Sequence, residues 1–135
     1  MGITEGAAGL YRQDPSAVTF GIALLAAGPD GSQVQMPVRH DMCNGLGIIH
    51  GGMMFLLADS AMAFASNSGD RAALATSAEI DWLAPAREGQ TLTATATRRW
   101  SSKRSALWDV EVVTDDGTVV AQFRGRTRQA NSEPR

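Results

Sequence analysis

From Gly51 to Ser66 the chain reads Gly-Gly-Met-Met-Phe-Leu-Leu-Ala-Asp-Ser-Ala-Met-Ala-Phe-Ala-Ser, a helix-favouring run with almost no polar face. A helix that is apolar all round is one surrounded by protein. Asn67-Ser68-Gly69-Asp70 supplies a stop and a turn. On either side of this rod the pattern becomes extended. The runs Val18 to Ala26 and Ser32 to Val38 flank the turn Gly28-Pro29-Asp30-Gly31 and predict a hairpin. Four further extended runs follow the helix, at about Ala73 to Leu83, Gln90 to Trp100, Ser105 to Thr114 and Thr118 to Arg128. Pro85 to Gly89 and Asp115-Asp116-Gly117 are the breaks between them. Thr91, Thr93, Thr95 and Thr97 share one face of their strand, and Arg124, Arg126 and Arg128 share one face of theirs.

Two strands, one buried helix and four strands predict an α+β fold in which a mostly antiparallel sheet wraps around one long central helix. One sheet face cannot cover every side of a rod. The open flank of the helix is therefore expected to meet a second subunit. Arg39 to Ile49 follow no clean period and read as an irregular polar loop. The opening residues read as a short polar, alanine-rich segment and Gln129 to Arg135 as a loose tail. The 135 residues suffice for one domain, with its core at about residues 18–128.

Composition narrows the function classes. With 44% apolar and 19% charged residues and a net charge of -2, the chain reads as folded and soluble, and the low charged fraction points to surface buried between subunits. No run of one sign supports nucleic-acid binding. The single cysteine, Cys43, cannot form an internal disulfide, which favours a reducing compartment, the cytoplasm by default. Met1 to Ala8 lack a basic region before an apolar stretch and do not read as a secretory signal. The run Gly51 to Ala65 is shorter than the roughly 20 residues a bilayer span needs, and Asp59 interrupts it, so no membrane association is expected.

Asp59 is the only charged residue between Gly51 and Asn67. Burying an ionised carboxylate alone is so costly that it is usually neutralised, paired or used. One reading is a structural carboxylate tied to a backbone group or an arginine; the other is a catalytic one. Just before the helix stands His50-Gly51-Gly52, where the glycines make a tight turn or let a ligand approach the first unsatisfied N–H groups. Such donors, backed by the helix dipole, stabilise a developing oxyanion. Gly51 and Asp59 lie about 12 Å apart along a helix, whereas a catalytic carboxylate and an oxyanion donor must both come within roughly 3 Å of one reacting group. If both serve one substrate, they come from two subunits whose helices run antiparallel across a twofold axis.

Asn44-Gly45, four intervening residues, His50-Gly51-Gly52 and then Asp59 resemble the active-site signature of the hotdog-fold acyl-CoA thioesterases, of the phenylacetate-degradation (PaaI) type. The resemblance continues through Ala58 to Ser68, Ile80-Asp81-Trp82-Leu83-Ala84-Pro85, Leu92 to Ala96 and Phe123-Arg124-Gly125, and spans about Val18 to Arg128. It implies a thioester hydrolase acting on aryl or medium-chain acyl-CoA, with coenzyme A as part of the substrate and no further cofactor. It also implies a homo-oligomer of dimers with shared sites, arranged as a homotetramer. Asp59 would be the base or nucleophile and Gly51 the backbone donor to the thioester oxygen, with Gly52 beside it. Asn44 and His50 would orient the carboxylate, the water or the carbonyl. Thr76 or Ser77 would hold the water, and Lys103, with Arg104, would lie near the nucleotide of coenzyme A.

The chemistry suits these parts, because thioester hydrolysis needs a base, a stabilised oxyanion and no metal. Met53, Met54 and Met62 read as core and, secondarily, as a pliable lining for an acyl chain. Eleven of the twelve basic residues are arginine, many on the C-terminal strands, where solvated sheet edges account for most of them. His40, Asp41, Cys43 and His50 are acceptable zinc donors, but their spacing fits no standard site. No Gly-x-Ser-x-Gly elbow is present, and Cys43 lacks an activating context. An enoyl-thioester hydratase of the same fold and a non-catalytic acyl-CoA-binding module are the alternatives.

Overall fold

The computed structural model describes residues 2–130. The helices are α1 (Glu5–Arg12), α2 (Pro15–Phe20) and α3 (Gly51–Ser66). The strands are β1 (Ala23–Gly28), β2 (Gly31–Pro37), β3 (Ala73–Trp82), β4 (Thr91–Ser102), β5 (Ser105–Thr114) and β6 (Val119–Gln129). They form one antiparallel sheet in the order β1-β2-β4-β5-β6-β3, and α3 packs against all six. This is the expected α+β architecture, an antiparallel sheet around one long helix. Alternation sets the faces: Leu92, Ala94 and Ala96 are buried while the threonines between them look outward, and Arg124, Arg126 and Arg128 are exposed around buried Gly125 and Thr127. Gly125 lets the helix approach the sheet, because a Cβ there would run into the Met62 thioether.

The structure corrects the reading of the first twenty residues. Glu5–Arg12 is helical, and Val18 to Phe20 end a helix instead of opening a strand. Local capping overrides the β-propensity of Val18 and Phe20. The Asp14 carboxylate accepts from the Ser16 and Ala17 N–H groups at 3.0 and 3.2 Å, Pro15 stands in the first turn, and Gly21 ends the helix at φ +67°. The later strands match their expected spans within about two residues, and the hairpin turn at residues 28–31 stands where expected. The expected loose tail is held at its start, where Gln129 ends β6 and the Ala130 N–H donates to Ala72 O at 2.8 Å, and its residues 131–135 lie outside the described residues.

Helix α3 is not covered on every side. Gly52, Leu56, Asp59, Ala63 and Ser66, spaced alternately by four and three residues, form one stripe that stays exposed or half-buried. At the far end of the helix, buried Asn67 ties α3 to the sheet. Its Nδ2 donates to the Ala63 and Ala73 carbonyls at 2.9 and 3.1 Å, and its Oδ1 accepts from the Ala73 N–H at 2.9 Å. Strand β3 starts there and, among the described residues, pairs with β6 alone, leaving its other edge open.

Candidate active site

The loop before α3 is irregular in sequence yet closely held. Asn44 Oδ1 accepts from the Leu46 N–H at 2.9 Å, Gly47 N–H donates to the Asn44 carbonyl at 3.0 Å, and Gly47 itself adopts φ +76°. Ile49 N–H donates to Ala86 O at 2.8 Å and His50 N–H to Met42 O at 2.9 Å, which fixes where the chain enters the helix. His50 caps α3 with an extended backbone and no side-chain capping bond, and its imidazole stays exposed. Among the described residues the Gly51 and Gly52 N–H groups meet no acceptor. They are the orphan donors of a helix start. They open on a groove of about 660 Å³ that Asn44 and His50 share with Ile48, Met54, Trp82 and Leu83. The structure thus brings Asn44, His50, Gly51 and Gly52 to one place.

Asp59 stands elsewhere in the same chain. It lies eight residues beyond Gly51 on the open stripe of α3 and does not line the groove. It makes no hydrogen bond or ion pair among the described residues. Burial pushes its carboxyl pKa above the ordinary carboxylate value, with no cation or donor to oppose the rise. A structural carboxylate would have such a partner. The helix rise keeps Asp59 about 12 Å from Gly51, too far for both to reach one carbonyl within a protomer.

The remaining expected residues occupy two further places. Thr76 sits at a bulge in β3 and donates through Oγ1 to Arg126 O at 3.4 Å. Ser77 follows it beside Arg124 and Arg126 in a separate hollow. Both are exposed. Lys103, at φ +40°, and Arg104 form the β4–β5 turn and line a cavity of about 290 Å³ with Ser66, Ser68 and Arg98, beyond the C-terminal end of α3. Three of the four zinc-donor residues in the loop are taken up by other contacts, and His50 lines the groove. His40 Nδ1 is 2.9 Å from Glu88 Oε1, Asp41 pairs with Arg39 at 2.9 Å, and Cys43 Sγ points to Arg39 O at 3.5 Å. No three metal-donor side chains converge among the described residues.

Sequence reasoning gave no role to the far wall of the groove. Trp82 closes it, with Nε1 donating to the Gly51 carbonyl at 3.0 Å. The available signal was a bulky pair, Trp82-Leu83, at the end of an alternating strand and just before Pro85.

The thioesterase superfamily profile matches residues 46–121, more than half of the chain and the span that holds His50, Gly51, Gly52 and Asp59. The chain belongs to the thioesterase superfamily. Escherichia coli (strain K12) acyl-coenzyme A thioesterase PaaI is 38% identical over 125 residues, covering 93% of this chain and 89% of that protein. The structure of E. coli PaaI superposes with a TM-score of 0.89 over 95% of this chain and 93% of that one. The TT0310 protein from Thermus thermophilus, 37% identical, superposes with a TM-score of 0.82 over 87% and 98% of the two chains. A Streptococcus mutans protein solved bound to acetyl CoA shares the fold at 21% identity, with a TM-score of 0.77 over 81% and 88%. The hotdog thioesterase architecture implied by the sequence resemblance is the fold of this superfamily member.

Proposed function

We propose that this chain hydrolyses acyl-CoA thioesters, with aryl or medium-chain acyl groups as its substrates, in sites shared between two protomers. The observation that carries the reading is Asp59: among the described residues, a half-buried carboxylate with no partner, on the open stripe of a helix whose first N–H groups are also unpartnered. The 38% identity to an acyl-coenzyme A thioesterase supports the substrate class. The apolar wall of the groove, Ile48, Met54, Trp82 and Leu83, suits an acyl chain or ring.

In this reading Asp59 of one protomer faces Gly51 of the other. The open edge of β3 supports the assembly. This ten-residue strand is exposed along most of its length, with Leu74 72% accessible, and such an edge is a template for pairing with a second copy of itself. Water adds its oxygen to the thioester carbon as the carboxylate takes the proton; the C–S bond breaks, and coenzyme A leaves as the thiolate. Direct attack by the carboxylate followed by hydrolysis releases the same products. The charge on the carbonyl oxygen is met by the Gly51 N–H, with Gly52 beside it, and Asn44 and His50 orient the groups around it. Thr76 or Ser77 holds the water. Lys103 and Arg104 serve the nucleotide of coenzyme A, where arginine's fork suits phosphate. No cofactor or metal takes part, the dimers pair into a tetramer, and the single-domain protein works in the cytoplasm. No helix among the described residues is long and apolar enough to cross a membrane.

The test is a panel of acyl-CoAs assayed by free-thiol release, with sedimentation for the assembly. Aryl and medium-chain thioesters are expected to give the highest kcat/KM. Binding without thiol release would favour an acyl-CoA-binding module, and loss of enoyl absorbance from a crotonyl thioester without thiol release would favour a hydratase.

A further inference from the structure

Trp82 has no part in the chemistry just described, yet it touches the glycine that does. It ends β3, where the strand passes the start of α3, and its side chain is turned back over the helix although the residue remains 56% exposed. Its indole lies so close to Gly51 that a Cβ there would come within 2.8 Å of both Nε1 and Cε2. The indole N–H donates to the Gly51 carbonyl at 3.0 Å. That carbonyl belongs to the same planar peptide as the Gly52 N–H, and this peptide bond is trans, so the two groups point in opposite directions. Fixing the oxygen therefore fixes the direction of the Gly52 N–H, which has no acceptor among the described residues and opens on the groove. A carbonyl has two lone pairs, so the oxygen can accept from the indole while still serving the helix. A donor on the oxygen also polarises the peptide and strengthens its N–H.

We infer that Trp82 is a positioning residue for catalysis, holding the Gly51–Gly52 peptide so that the Gly52 N–H stands beside the Gly51 N–H as a second donor to the thioester oxygen. The inference rests on the acyl-CoA thioesterase reading and deepens it. Two glycines in succession have no rigidity of their own, since neither carries a side chain to restrict its backbone. A preorganised oxyanion site needs its donors fixed before charge develops. The indole provides that restraint from outside the helix.

Trp82→Phe keeps an aromatic wall and removes only the N–H. Because the donors act on charge that develops in the transition state, kcat is expected to fall about ten- to a hundredfold while KM stays within about twofold. The ¹H–¹⁵N resonance of the Gly52 amide should move, and the melting temperature should not. Trp82→Leu removes the wall as well and should add a rise in KM to the same loss of kcat. An active wild type with Trp82→Phe equal to it in kcat overturns the inference and leaves the thioesterase reading standing. A loss confined to KM overturns it too, since that pattern belongs to a lining residue. A wild type that releases no thiol from any acyl-CoA overturns the thioesterase reading, and the inference with it.

Discussion

Two aspartates at different places on the molecule meet opposite environments. Asp109, on the outer face of β5, lies between Arg124 Nε at 2.7 Å and Arg99 Nε at 2.8 Å. The hydrogen bond from Arg124, joined by that from Arg99, holds its carboxyl below the usual carboxylate range. Asp59, on the open stripe of α3, has apolar neighbours along its helix and no partner among the described residues, and burial alone pushes its carboxyl up. The sheet satisfies its acid with two guanidiniums; the helix leaves its acid poised. Solvation and pairing therefore separate a structural carboxylate from a reactive one more sharply than residue type does.

The largest effect expected from that contrast is on turnover. Asp59→Ala should lower kcat roughly a hundred- to ten-thousandfold and leave the circular-dichroism spectrum unchanged, as removal of a general base does. Wild-type turnover in this variant would erase the distinction between the two acids. A mixing experiment sharpens it by asking where the partner of Asp59 resides. Asp59→Ala and Gly51→Val should each be inactive alone. After unfolding and refolding together they should recover about a quarter of wild-type activity, because half of randomly formed dimers are mixed and each of those rebuilds one of two shared sites. No recovery from correctly refolded mixed dimers would place both residues of a site in one protomer.

The pH dependence of stability is a smaller effect. With its folded pKa raised above the ordinary 3.8, Asp59 favours the folded state fully below that value, and the contribution is lost as pH rises through the folded pKa. Asp59→Asn should thus melt with the wild type at about pH 3 and above it at about pH 7. A difference that does not change with pH would mean that ionisation at Asp59 has no link to folding. The same shift predicts that the acid limb of the kcat/KM profile lies above 3.8. Smallest of all, Asp109→Ala should cost about 1 kcal/mol or less in thermal or denaturant unfolding, because its arginine partners are exposed, and should leave turnover unchanged.

Much of this was legible along the chain because it is local. The apolar run at residues 51–66 specifies a helix by composition, Gly28-Pro29-Asp30-Gly31 specifies its turn, and alternation in the β4 and β6 segments assigns their faces. The N-terminal helices were illegible for a local reason as well: Asp14, Pro15 and Gly21 carry a capping signal that the β-branched and aromatic residues between them obscured. The pairing of β3 with β6, and the arrival of Trp82 over Gly51, are of another kind. They join positions 31 or more residues apart, and no period within either segment encodes the other.

By itself the sequence determined that a single acid stands in an apolar helix, eight residues from a Gly-Gly entrance, and the fixed helical rise turns that count into a separation one substrate cannot bridge. Only the tertiary structure decided that the acid lies on the uncovered stripe, that no arginine among the described residues reaches it, and that an indole from a distant strand holds the glycine peptide. Helical rise is a property of neighbouring residues, whereas burial and pairing belong to whatever the rest of the chain packs against them.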